Sequence, residues 1–265
     1  MGNTAMPSLR ELIHAFDPCA GLSLPPDWLQ GRTAYGGITA ATSLIAARQV
    51  AGDMAGPLRS AQIGFVGPGQ GHLSYDAQLL RGGRSVSCVG VDVGAEAGMA
   101  ARSLFVFGHA RQSSIVHDFS QPPGVRGPES YAALDLTGSP VAPAFLGHFE
   151  LRPAAGALPV SGSTDPEMTV WVRHRDAAGI DPEVALLALA DALPPAAFTA
   201  YTQPAPISSI SWSLDLLGPV PASDWFLLRS ASLHAADGYS VQTMQAWDTQ
   251  GRMLLRGRQC VGVFA

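Results

Sequence analysis

Asp191 lies inside the apolar stretch LLALADAL, where an unpaired carboxylate is expensive to bury. It is therefore exposed, or caps the turn at Leu193-Pro194, or is paired, or has chemistry to perform. Proton acceptance is the chemistry a carboxylate offers. Gln259 stands among apolar residues near the end of the chain, in a strand-like segment. A lone strand Gln either faces solvent or aims its amide inward. The hydroxyl run Ser208-Ser209-Ile210-Ser211 is by itself compatible with an edge strand. None of the three signals is specific alone; the informative feature is their order, helix Asp, strand Ser, last-strand Gln.

Other chemistries are absent. All sixteen cationic side chains are arginine, and without lysine there is no P-loop, no kinase-type ATP site and no Schiff-base enzyme. No Gly-x-Ser-x-Gly elbow, no His-Glu-x-x-His and no metal-spaced His/Cys/Asp cluster occurs, so neither a serine nucleophile of that type nor a zinc site is expected. The run Gly67-Pro68-Gly69-Gln70-Gly71 is interrupted by Pro and opens no helix, so it reads as a hairpin turn and not a dinucleotide loop. The net charge of −5 gives no basic footprint for nucleic acid or anionic lipid. Three scattered cysteines and the lack of a basic-then-apolar leader suit a reducing cytoplasm. No apolar run reaches the roughly 18 residues of a membrane span.

The elements that must position these residues follow from pattern. Residues 8–16 form a short helix capped by Ser8, with Glu11 at the capping-box spacing. Gly36-Gly37 opens a helix of small residues, ITAATSLIAARQV, that ends near Gly52; nearly free of charge, it is expected to be buried all round. Four strand-like segments follow, bounded by Gly and Pro. The composition of residues 113–143, rich in Pro, Gly and Ser, marks a linker. The plan then repeats: strands at HFELR and MTVWVRHR, a helix over residues 181–193, and strands at ISSISWSLDL, DWFLLRSASLH, YSVQTMQAWD and MLLRGRQCVGVF. Gly83-Arg84-Ser85-Val86 recurs as Gly238-Tyr239-Ser240-Val241, and Ser103 stands as the counterpart of Gln259. The chain thus reads as an α+β tandem repeat: residues 1–112, a linker over 113–143, and residues 144–265.

These segments resemble the TesB-type acyl-CoA thioesterases, whose fold is a double hotdog. The likeness spans nearly the whole chain, through AYGGITAATSLIAAR and LLRGGRSVSCVGVDV in the first half, and MTVWVRHR, ALLALADALPP, ISSISWSLDL and GRMLLRGRQCVGVF in the second. It implies two antiparallel sheets, each wrapped around a central helix, with the catalytic residues in the second half. The family's helix aspartate falls on Asp191 and its last-strand glutamine on Gln259. Its strand threonine falls on Ser209, with Ser208 one slip away. Ser211 stands where some members carry an Asp. The resemblance implies hydrolysis of an acyl-CoA to acid and CoA, with Asp191 accepting a proton from a water that Ser209 and Gln259 orient, and with no metal or organic cofactor. A backbone N–H at the start of the first central helix would meet the oxyanion; Gly37 is the candidate, although Gly36-Gly37 equally suits tight packing. The alternatives are a hotdog hydratase or dehydratase, and a non-catalytic acyl-CoA-binding protein. Open outer sheet edges point to a homodimer.

Overall fold

The computed structural model describes residues 6–136, 138–139 and 142–264. Helix α1 (Leu9–Ala15) carries the expected capping box, with Ser8 Oγ accepting from Glu11 N–H and the Glu11 carboxylate accepting from Ser8 N–H. A two-residue strand β1 (Leu22–Ser23) and a small hairpin, β2 (Leu29–Gln30) with β3 (Thr33–Ala34), lead into helix α2 (Gly36–Ala51). The strands β4 (Leu58–Phe65), β5 (His72–Arg81), β6 (Val86–Ala95) and β7 (Gly98–Gly108) complete the first half. The second half comprises β8 (Phe149–Gly156), β9 (Glu167–His174), α3 (Pro182–Ala190), β10 (Ile207–Leu216), β11 (Phe226–Ala236), β12 (Tyr239–Trp247) and β13 (Met253–Val263). The short β1–β3 have no signal in the sequence pattern, being too brief for an alternation to show.

The halves share one plan and one sheet. Eleven strands run β1-β5-β6-β7-β4-β10-β13-β12-β11-β9-β8, every neighbouring pair antiparallel. The seam between the halves is β4 against β10, from Gly64↔Ser211 to Ser60↔Asp215. The two sheets expected of a double hotdog are therefore fused edge to edge, and β10 is an interior strand, not the edge strand its hydroxyls allowed. Helices α2 and α3 pack on each other and against the inner face. That explains why α2 is built of small residues: it is covered by sheet on one side and by α3 on the other, and Ile38, Ala40, Ala41, Leu44 and Ala47 are all buried. No helix among the described residues is long and apolar enough to cross a membrane.

Register corrects the internal repeat. Each seam strand has a one-residue bulge at the same place: Arg59 between Leu58↔Phe107 and Ser60↔Val106, and Ile210 between Ser209↔Val261 and Ser211↔Cys260. Superposing the bulges matches Leu58 with Ser209 and Phe105 with Gln259. The next pairs, Val89↔Phe105 and Gln242↔Gln259, match Val89 with Gln242 and Ser87 with Ser240. The sequence-based pairings of Ser103 with Gln259 and Ser85 with Ser240 are each two residues out. A two-residue slip leaves every side chain on its original face, so the apolar alternation cannot detect it.

Candidate active site

Asp191 is the C-cap of α3, just past the helix and not inside it as expected. The helix stops there because Pro194 and Pro195 follow, and neither can supply an N–H to extend it. Its carboxylate is buried against the other helix's first turn. The N-terminus of α2 has no side-chain cap of its own; instead the Gly37 backbone N–H faces Asp191 and favours its charged form. The two glycines make that approach possible. A Cβ on Gly36 would collide with Asp191 Oδ2, and one on Gly37 would lie 2.5 Å from the Ala188 carbonyl oxygen and 2.7 Å from the Tyr35 ring. Tyr35 pins the same contact by donating its hydroxyl to Ala188 O at 2.9 Å. Tight packing and anion contact are both present at Gly36-Gly37.

Ser209 reaches the carboxylate's neighbourhood because of the bulge. In unbroken alternation Trp212, Leu214 and Leu216, which are buried, would share a face with Ile210, and Ser209 would point outward. The extra residue Ile210 is expelled toward solvent and Ser209 turns inward, a re-aiming for which bulges beside sites are known. Gln259 Nε2 then donates to both Asp191 Oδ1 at 2.9 Å and Ser209 Oγ at 3.1 Å. Ser208 is exposed at the mouth of the neighbouring cleft. The three residues singled out by type and order are thus brought together from α3, β10 and β13.

A fourth residue, not among those expected from the sequence, joins the cluster. Gln242 of β12 is fully buried, donates Nε2 to Gln259 Oε1 at 2.7 Å, and accepts the Ala196 N–H at 2.6 Å. The available signal was a glutamine in the inward phase of YSVQTMQAW, shared with Ser240, Met244 and Ala246.

Burial raises the Asp191 pKa from its ordinary 3.8 to about 7, against the opposing pull of hydrogen bonds from Gln259 and Gly37. A carboxyl poised there can take or give a proton near neutrality. Beside it opens a cleft of about 260 Å³ whose wall includes Gln30, Thr33, Gly36, Thr39, Phe65 and Ser209. The Gly67–Gly71 segment joins β4 to β5, which are separated in the sheet by β6 and β7, so it is a crossover loop and not the hairpin turn expected; it closes one side of the cleft through Gly67, Pro68 and Gly69. Of the aromatic residues near the helix start, only Phe65 lines the cleft; Tyr35 stacks on Phe145 and Trp28 on His148 within the core. His174, the histidine nearest upstream of Asp191, is committed to the Ala185 carbonyl oxygen. Among the described residues no group of three His, Cys, Asp or Glu is placed to hold a metal ion.

The related position in the first half carries no such site. Leu58, Phe105 and Val89 replace Ser209, Gln259 and Gln242, and all three are buried. Glu183, at the second position of α3 as Gly37 is of α2, fills the space there, accepting from Leu58 N–H and pairing with Arg48.

The sequence matches the family model for the acyl-CoA thioesterase N-terminal domain over residues 24–108 and that for the C-terminal domain over residues 128–263. No curated protein matches the chain. Among solved structures, a conserved hot dog fold protein from Alicyclobacillus acidocaldarius is similar at TM-score 0.80 and 20% identity, covering 92% of each chain. A tesB protein of Mycobacterium avium subspecies paratuberculosis is similar at 0.75 and 20%, again over 92% of each. An acyl-CoA thioesterase II, TesB2, from Mycobacterium marinum is similar at 0.71 and 19%, covering 87% of this chain and 90% of its own.

Proposed function

The chain belongs to the acyl-CoA thioesterase family and is a thioester hydrolase, and we propose that Asp191 is the general base of that hydrolysis, with Ser209 and Gln259 holding the attacking water. The single observation that carries this reading is the buried Asp191–Gln259–Ser209 cluster, whose strand positions 209 and 259 are matched in the other half by the apolar Leu58 and Phe105. A fold that needed those polar groups would have them twice.

The geometry supports the following course for the reaction. An acyl-CoA enters the cleft with its thioester carbonyl against the first turn of α2. The water oxygen bonds to the carbonyl carbon as its proton passes to Asp191. Charge develops on the carbonyl oxygen, where the α2 dipole and backbone N–H groups favour it. Gly37 N–H, the expected oxyanion donor, faces Asp191; once Asp191 is protonated its pull on that N–H weakens, leaving the donor for the oxyanion. The tetrahedral intermediate then collapses, the C–S bond breaks, and the proton on Asp191 moves to the departing sulfur to give CoA thiol and free acid. Base assistance of this kind is worth about 10²–10⁴-fold.

CoA release across short, medium, long and aromatic acyl-CoAs, run beside Asp191→Asn, tests the reading. Turnover that collapses in the variant supports it; turnover that the variant retains removes Asp191 from the mechanism, and binding without turnover in both proteins makes the chain a non-catalytic acyl-CoA binder. We also infer a homodimer in the cytoplasm. The two-residue β1 pairs only with His72 and Leu73 of β5, leaving most of that edge to a second copy. A solution mass of twice 27.6 kDa is expected at micromolar concentration, and a monomeric mass there would contradict it.

A further inference from the structure

We propose that Gln242 is a positioning residue for this hydrolysis: it fixes which way round the Gln259 side-chain amide sits, so that Nε2 and not Oε1 faces Asp191 and Ser209. The inference rests on the proposed role of the Asp191 cluster.

A buried glutamine amide has two nearly isosteric orientations, and only its partners choose between them. The choice here traces to one unambiguous donor. The Ala196 backbone N–H can only donate, so the Gln242 atom facing it at 2.6 Å must be Oε1. Gln242 Nε2 then points at Gln259, where it finds Oε1 at 2.7 Å. With its oxygen so engaged, Gln259 presents Nε2 to Asp191 Oδ1 and Ser209 Oγ. Reversing Gln259 alone would set two NH₂ groups against each other and an amide oxygen against the carboxylate. Both contacts are repulsive in a buried site, where unpaired polar atoms are costly.

The relay also closes on itself. Ala196 follows Asp191 by five residues, across Pro194-Pro195, whose fixed φ angles stiffen the turn. The backbone segment that carries the base therefore carries the donor that sets the amide chain, and the chain returns to the base. Nothing in the fold requires this. Val89 occupies the matching place in the first half, beside Phe105, and both are buried. Burying two amides here is explained by what the second amide does for the first.

The test combines Gln242→Val, the residue of the other half, with Gln259→Ala and the double substitution in the full chain. Thermal melts check that each is folded. Gln242→Val should lower kcat about tenfold or more, the scale of loss when a catalytic group is misaligned, with KM within about twofold. In the Gln259→Ala background it should add nothing, since it acts only through Gln259. Carboxyl-¹³C NMR of Asp191 should show its titration midpoint rising in Gln242→Val, because the carboxylate loses a fixed donor. Multiplicative losses in the double variant, or an unmoved Asp191 midpoint in folded Gln242→Val, would overturn the proposal. If Gln242→Val does not fold, Gln242→Glu serves: its ionised carboxylate accepts from both sides and draws Gln259 Nε2 away from Asp191. The Asp191 midpoint should then rise, and an unchanged midpoint is again contrary. A wild-type chain that hydrolyses no acyl-CoA, yet whose Asp191 midpoint responds to Gln242→Val, would sink the proposed reaction and leave the relay standing.

Discussion

Asp191→Asn separates the cost of the site from its benefit. The folded carboxyl holds its proton up to about pH 7, whereas the unfolded chain releases it near 3.8. Between those values the folded state binds more protons, so stability contributed by this group is fully present below pH 4 and is lost as pH rises toward 7. The gap corresponds to about 4 kcal/mol at neutral pH and above, the cost of holding an ionised carboxylate away from water. Asparagine cannot ionise and removes that slope. It also gives back some of the gain, because it offers one acceptor oxygen to Gln259 and Gly37 in place of two. Urea unfolding at pH 5 and pH 8 should therefore show the variant gaining on wild type by a few kcal/mol between the two conditions. The same substitution should cut kcat by about 10²–10⁴-fold, while wild-type kcat rises with pH through an acid limb near 7. Parallel stability curves for the two proteins would refute the argument that Asp191 is desolvated by the fold. An acid limb near pH 4 would show that the ionisation controlling turnover is not this one.

Three further outcomes follow from contacts around the site. Gly36→Ala should fail to deliver the stabilisation of about 1 kcal/mol that alanine ordinarily brings to a helix, since its Cβ would collide with Asp191 Oδ2 and meet the Phe65 ring at 3.1 Å; melting temperature and kcat should both fall. Ser209→Ala should reduce kcat about tenfold by removing an orienting hydroxyl, while Ser208→Ala, exposed at the cleft mouth, leaves initial rates within about twofold. Arg48→Met should destabilise the fold by about 3 kcal/mol at neutral pH, because Glu183 then lacks its buried counter-charge. Burial already raises the Glu183 pKa, so the loss should shrink on acidification as that carboxyl takes up a proton, and a pH-independent loss in urea titrations would contradict the pairing.

The sequence makes some of this legible and conceals the rest for identifiable reasons. Long segments with clear alternation, such as ISSISWSLDL and MLLRGRQCVGVF, become strands at the expected places because the period-2 pattern is what a half-buried sheet imposes. Asp191 and Gln259 are visible because polar residues inside apolar stretches conflict with local context. Ser209 is a harder case. Regular alternation along β10 turns it outward, and only the Ile210 bulge brings it in; a bulge is a property of two paired strands and leaves no mark on either alone. Gln242 is hidden differently, since strand polarity in YSVQTMQAW is mixed on both faces.

The comparison of halves supplies what periodicity cannot. Once the two bulges are superposed, each of the site's three strand residues has an apolar partner at the same depth of the same sheet: Leu58 for Ser209, Phe105 for Gln259, Val89 for Gln242. Both sets pack in one chain under one architecture, so the fold accepts either. The polar set carries the cost of desolvating a hydroxyl and two amides, and stability alone would favour the apolar one. What keeps the polar set together has to be something stability does not measure, and a water held against a thioester is the work its geometry fits. Placing Leu, Phe and Val at positions 209, 259 and 242 together should leave a folded protein that no longer turns over acyl-CoA.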